Sequence, residues 1–146
     1  MKIIVSACLL GENCKYNGGN NRCQKVIDFM KDHEVIPVCP EQMGGLSTPR
    51  LPAEICNGKV VNTEGISVDA EFRKGAETAL KIALEEGATQ AILQPRSPSC
   101  GCKQVYDGSF SRTLIPGKGV FAQLLADHAL NYWSLTTYDY ETAERS

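Results

Sequence analysis

A chain of 146 residues, 42% hydrophobic and 22% charged, can bury roughly two thirds of the surface its unfolded form exposes, so a core forms without disulfide staples. No apolar run approaches the ~18 residues of a membrane span, and a net charge of −2 lacks the basic face that a duplex or tRNA backbone demands of its main partner. Seven cysteines, an odd number in a chain too large to need staples, argue against a full disulfide framework and draw attention to the thiols themselves.

The composition predicts one domain over residues 1–146. Met1-Lys2-Ile3-Ile4-Val5 reads as a short strand and not as a secretory leader, because its apolar core is too short. The expected location is the cytoplasm. Basic pairs such as Arg22/Lys25 and Arg96/Lys103 read as solvated surface.

In chain order, residues 2–6 are short, apolar and β-branched, which predicts a buried strand. Glycines and asparagines make residues 7–19 a loop. Asn21 with Gln24 has the pattern of an N-cap and its capping-box partner. A helix is expected over 22–32, with Cys23, Val26, Ile27 and Met30 on one face. Residues 34–38 predict a second strand, and Pro37 argues against a central place for it.

Residues 39–54 hold three prolines and two glycines, which argue against a regular helix. A loop of this length in a small domain is usually functional or disordered, and its Cys, Glu and Arg favour function. Residues 59–62 and 67–68 predict a small hairpin. Asp69 is placed to cap a helix over 70–86 that Gly87 ends. Its apolar stripe (Phe72, Ala76, Ala79, Leu80, Ala83) reads as core.

A third strand is expected over 89–93, leading straight into Ser97-Pro98-Ser99-Cys100-Gly101-Cys102. Beyond it come a turn at Asp107-Gly108, a break at 115–119, a helix over 119–130 and a fourth strand over 132–137. The last residues are polar and expected to fray. Strands alternating with helices predict an α/β fold: a three-layer, Rossmann-like or flavodoxin-like parallel sheet of about four strands, order 2-1-3-4, with helices on both faces. Sites in such sheets lie beyond the carboxyl ends of the strands.

Cys8, Cys39 and Cys100 each fall just past one of the first three strands, so the topology brings three thiols to one sheet edge. Cys23 lies on a helix face and Cys56 in a loop; Cys14 and Cys102 share loops with Cys8 and Cys100. Spacing alone leaves four readings open. The first is an iron–sulfur cluster, which suits scattered cysteines and leaves one iron free when only three ligate. The second is a zinc site completed by Cys14 or Cys102. The third is a redox-active thiol pair, and the fourth is cysteines that are merely buried hydrophobes.

Cys8-Leu9-Leu10-Gly11 with Cys14-Lys15-Tyr16-Asn17-Gly18, Cys39-Pro40-Glu41 with Gly44-Gly45-Leu46 and Pro49-Arg50, Ser97-Pro98-Ser99-Cys100-Gly101, and Tyr106-Asp107-Gly108 together resemble the DUF523 family, whose characterised members are thiouracil desulfidases. The resemblance spans nearly the whole chain. It implies a [4Fe–4S] cluster on Cys8, Cys39 and Cys100, with an open iron that takes the sulfur of a small thiolated pyrimidine. It further implies that Glu41 transfers a proton and that Ser97 assists at the substrate. Around these, Ser99 is a candidate substrate contact. Gly44 and Gly45 allow close approach to a ligand or merely a tight turn. Arg50 pairs with the cluster's charge or with a carboxylate. The chemistry suits the residues: sulfide leaves to a thiophilic iron without net redox change while a carboxylate moves a proton.

Overall fold

A computed structural model of the chain describes residues 2–88 and 90–128. Strand β1 (Lys2–Ser6) pairs in parallel with β2 (Glu34–Val38) on one side and β5 (Gln90–Ile92) on the other, giving the order β2-β1-β5. The register sets Ile4 opposite Ile36 and Ala91. Pro37 is tolerated because β2, among the described residues, is an edge strand paired with β1 alone. The expected fourth strand, residues 132–137, and the end of the last predicted helix lie outside the described residues.

Side chains of β1 alternate between faces, as the pleat requires. Ile3 and Val5 enter a cluster with Leu9, Cys23, Val26 and Met30, beneath α1 (Gln24–Phe29). Ile4 enters the other cluster, with Phe72, Ala76, Ala79, Leu80 and Ala83 of α3 (Asp69–Glu85) and Phe121, Ala122 and Leu125 of α4 (Val120–Asp127). Helices therefore cover both faces of the sheet. Phe72 and Phe121 are fully buried, each adding about 2–3 kcal/mol of transfer free energy.

Several local expectations are corrected. Residues 39–54 do contain a helix, the single turn α2 (Pro40–Met43), whose proline sits in the first turn, where its missing N–H costs nothing. Its C-terminal Gly44 packs on α3. A Cβ at Gly44 would overlap the Glu71 carbonyl oxygen, and one at Gly75 would overlap the Pro40 carbonyl oxygen. The hairpin is formed by β3 (Ala53–Cys56) with β4 (Lys59–Asn62), and Ser67 adds only one bridge to Val61. Asn57 and Gly58 both take positive φ, 51° and 80°, the two-residue turn for which Asn-Gly is the strongest sequence signal. Cys56 ends β3 instead of lying in a loop.

Residues 115–119 are not simply a break, because β7 (Leu114–Pro116) pairs with β6 (Gln104–Tyr106). Asp69 is the first residue of α3, not its cap. Its carboxylate accepts the Val60 N–H at 3.0 Å and pairs with Arg73. Asn21 does not cap α1 either, since Cys23 precedes that helix.

Candidate metal centre and active site

Three strand-end loops meet over the carboxyl edge of the parallel sheet and enclose a cavity of about 580 Å³. Cys8 comes from the turn after β1, Cys39 from the step between β2 and α2, and Cys100 from the loop after β5; all three line it, and so does Cys14. The volume lies within the range of small-molecule sites. None of the seven cysteines is in a disulfide. Among the described residues no three His, Cys, Asp or Glu side chains gather closely enough for one metal ion.

Each sulfur has polar neighbours. Asn21 Nδ2 donates to Cys8 Sγ at 3.5 Å, and Gln94 Oε1 lies 4.0 Å from the same sulfur. The Cys39 thiol points at the Cys14 carbonyl oxygen, 3.8 Å away. Cys100 is buried, and the hydroxyls of Ser6 and Ser99 face its sulfur, Ser99 Oγ at 3.7 Å. Cys14 sits between the other two: its thiol hydrogen-bonds Cys39 and Cys8, which holds its own proton on firmly. The same bonds draw both neighbours down, Cys39 to about 7 against the burial that opposes it. Desolvation pushes the Cys100 thiol well up. The four thiols thus divide into two inclined to ionise and two that keep their protons.

Glu41 lies in the first turn of α2 and faces the cavity. Arg50 Nε and a terminal nitrogen contact its Oε1 at 3.1 and 3.0 Å, with both side chains largely buried. The same guanidinium donates to the carbonyl oxygens of Cys14 and Ser47 and to Thr48 Oγ1. Arg50 is thus paired with a carboxylate and with the loop that carries Cys14. The second carboxylate oxygen, Oε2, accepts from Ser99 Oγ at 2.9 Å. Ser97 Oγ lies 2.9 Å from Ser99 Oγ and accepts the backbone N–H groups of Ser99 and Cys100.

The loop 97–101 is fixed by the start of α4. Val120 N donates to the Pro98 carbonyl, Phe121 N and Ala122 N to that of Ser99, and Gly119 N to that of Gly101. Gly119 lets this happen, since a Cβ there would stand 2.5 Å from the Ser99 carbonyl carbon.

Of the residues singled out in the sequence, Cys8, Cys39, Cys100, Glu41, Ser97, Ser99 and Arg50 line one cavity. Gly44 and Gly45 do not. Gly44 serves the contact between α2 and α3, and Gly45, at φ 95°, forms the turn that leaves α2. Cys102 is buried in the core cluster beneath α3 and α4 and is not a cavity residue. Sequence reasoning missed Asn21 and Ser6 as partners of sulfur and left Cys14 undecided. Placement at the last residue of β1 marks Ser6, whereas nothing local marks Asn21. The rest of the wall includes Tyr16, Tyr106 and Phe110 with Lys15, Arg96 and Arg112, a set of ring faces and cations suited to a flat polar heterocycle.

Comparison with known proteins places the chain in a family. Residues 3–136 match the family model described as 2-thiouracil desulfurase. An uncharacterised Bacillus subtilis (strain 168) protein, YbbK, is 40% identical over 133 residues, covering 84% of this chain and 88% of that protein. A solved structure described as the [4Fe-4S]-dependent thiouracil desulfidase TudS (DUF523Vcz) superposes with a TM-score of 0.86 at 37% identity, covering 97% of each chain. By its motifs, its fold and its match over most of its length, the chain belongs to the 2-thiouracil desulfurase family.

Proposed function

We propose that this protein is an iron–sulfur-dependent desulfidase that removes sulfur, as sulfide, from thiouracil or a similar small thiolated heterocycle. The observation that carries the reading is the meeting of three thiols from three strand-end loops with a clamped carboxylate in one cavity. Cys8, Cys39 and Cys100 would hold a [4Fe–4S] cluster. Three cysteines drawn from separate loops suit such a cluster, which then keeps one iron free of protein ligands. Donors already in contact with sulfur, Asn21 and Ser99, are of the kind that tune such clusters.

The overall change is hydrolytic: a thiocarbonyl and water become a carbonyl and hydrogen sulfide, with no change of oxidation state. When bound, the cluster supplies a thiophilic, Lewis-acidic iron for the departing sulfur. The remaining work falls to side chains. Glu41 is held by Arg50 at one oxygen and reaches the cavity with the other, so it can take a proton from water and return it. Ser97 assists at the heterocycle. Tyr16, Tyr106 and Phe110 offer faces to the ring, and Lys15, Arg96 and Arg112 would favour an anionic substituent on it. We read residues 1–146 as one flavodoxin-like domain.

Anaerobic reconstitution followed by sulfide release from 2- and 4-thiouracil tests the reading. Cys8→Ser, Cys39→Ser and Cys100→Ser should each lower the iron content. Glu41→Gln should keep iron and lose about 10²–10⁴ in kcat. Iron bound without sulfide release from any thiolated base would point instead to a metal-binding or redox-sensing domain.

A further inference from the structure

Left-handed backbone is uncommon for residues that carry a side chain. Among the described residues four non-glycines adopt it: Asn57, Arg96, Phe110 and Arg112, at φ 51°, 64°, 57° and 61°. Asn57 belongs to the hairpin turn of β3 and β4. The other three all line the cavity, and Phe110 and Arg112 share one turn, residues 107–113, between β6 and β7. Strain of this kind persists only where the surroundings over-determine it. Internal bonds give the turn its shape: Asp107 N donates to the Thr113 carbonyl and Ser109 N to Asp107 Oδ1, each at 2.9 Å. Its place is set by β3. Glu54 Oε1 accepts the Gly108 N–H at 3.0 Å and the Phe110 N–H at 3.1 Å, and bonds to an ionised acceptor are stronger than neutral ones. Gly108 lies close against the same strand, since a Cβ there would stand 2.7 Å from the Ile55 carbonyl oxygen. Among the described residues, the hydrogen bonds that tie this turn to another element both end on that single carboxylate oxygen.

Resting on the desulfidase reading, in which Phe110 offers a face to the heterocycle, we propose that Glu54 is a positioning residue that seats the turn 107–113 in the cavity wall and so sets substrate affinity through Phe110. The bond to the Phe110 N–H acts on the very residue whose φ is left-handed, so the carboxylate holds the backbone in the one conformation that keeps this side chain in the wall. Two carboxylates of one cavity then divide the work. Glu41, clamped by Arg50, serves the proton. Glu54 gives an oxygen to two peptide groups and serves the place of a ring. Loss of Glu54 is therefore felt in binding and not in the chemical step.

The test has two arms, each with Glu54→Ala, Glu54→Gln and Phe110→Ala beside the wild type. The first is amide hydrogen exchange. In Glu54→Ala the Gly108 and Phe110 amides should exchange roughly 10-fold faster or more, while those of α3 keep their protection, as local opening without global unfolding requires. The second is sulfide release from 4-thiouracil by the anaerobically reconstituted proteins. Glu54→Ala should keep its iron and its kcat within about twofold while KM rises roughly 10-fold, the size of one lost ring stack. Glu54→Gln, which keeps an acceptor oxygen, should recover most of that affinity. Glu54→Ala/Phe110→Ala should have a KM no higher than Phe110→Ala alone, because the two residues act as a unit. Unchanged exchange at Gly108 and Phe110, a fall in kcat at constant KM, or fully additive KM changes would overturn the positioning role alone. A cluster-bearing wild type that releases no sulfide would overturn the desulfidase reading and the substrate role with it.

Discussion

The cavity has two walls built on opposite plans. The loop 97–101 is held by backbone: its carbonyls take N–H groups from Gly119, Val120, Phe121 and Ala122, and Ser99 and Cys100 are buried. The segment 8–21 is held mostly by itself. Its turns close internally, Lys15 to Gly19 and Asn21 to Cys8, and Tyr16 is 40% exposed. It is fastened through Arg50, whose N–H donates to the Tyr16 carbonyl and whose guanidinium donates to that of Cys14. The difference separates two tasks. The backbone-held wall fixes a thiol and two hydroxyls in place, while the self-closed wall sets thiol ionisation through Cys14 and Asn21 and remains open to solvent.

The comparison can be broken most severely at Arg50, which fastens the second wall to Glu41. Arg50→Met leaves a largely buried carboxylate without its cation and should cost about 3–5 kcal/mol. Urea unfolding of the metal-free protein would measure this, and a change below about 1 kcal/mol, the size of a surface pair, would mean that the second wall stands without Arg50. The first wall is tested next. Gly119→Ala places a methyl against the Ser99 carbonyl carbon and should cost about 1–3 kcal/mol as an overpacking change, with a fall in the iron retained.

A third test concerns ionisation. In metal-free protein Cys39 should react with iodoacetamide with half-maximal rate near pH 7, because the Cys14 thiol holds its pKa at about 7. Cys100 should stay unlabelled through the same range, its proton retained by burial. Cys14→Ala should move the Cys39 profile upward. The sign for stability follows. The lowered pKa of Cys39 contributes stability complete above the ordinary thiol value of 9.0 and lost as pH falls through about 7. The raised values of Cys14 and Cys100 give the opposite slope, with stability present below 9.0 and lost as pH rises. The smallest effect is expected at Asn21: Asn21→Ala removes one bond to Cys8 Sγ and should cost about 1 kcal/mol or less in unfolding, while raising the pH at which Cys8 alkylates.

Much of this was legible in the sequence where a signal is local. The apolar strand at 2–6 and the stripe of α3 announce themselves by period, and the edge place of β2 by Pro37. Topology then carried Cys8, Cys39 and Cys100 to one edge before any side chain was placed. What escaped depends on tertiary contact. The Ser99–Glu41 bond joins residues far apart in the chain, and no spacing rule predicts it. Asn21 followed by Gln24 has the form of a capping box, yet the asparagine is drawn to a sulfur instead. The hairpin of β3 and β4 was missed although Asn57-Gly58 marks it. The prolines of 39–54 argue against a long helix, yet one of them begins the single turn α2.

Where α2 meets α3, backbone meets backbone at two points: Gly44 faces the Glu71 carbonyl and Gly75 faces that of Pro40. A side chain can swing aside, but a peptide plane in a helix cannot. Cys39 and Glu41, at the two sides of Pro40, therefore stand where the backbone of α3 puts them. A methyl at Gly44 or Gly75, neither of which lines the cavity, would therefore displace Cys39 and Glu41 together.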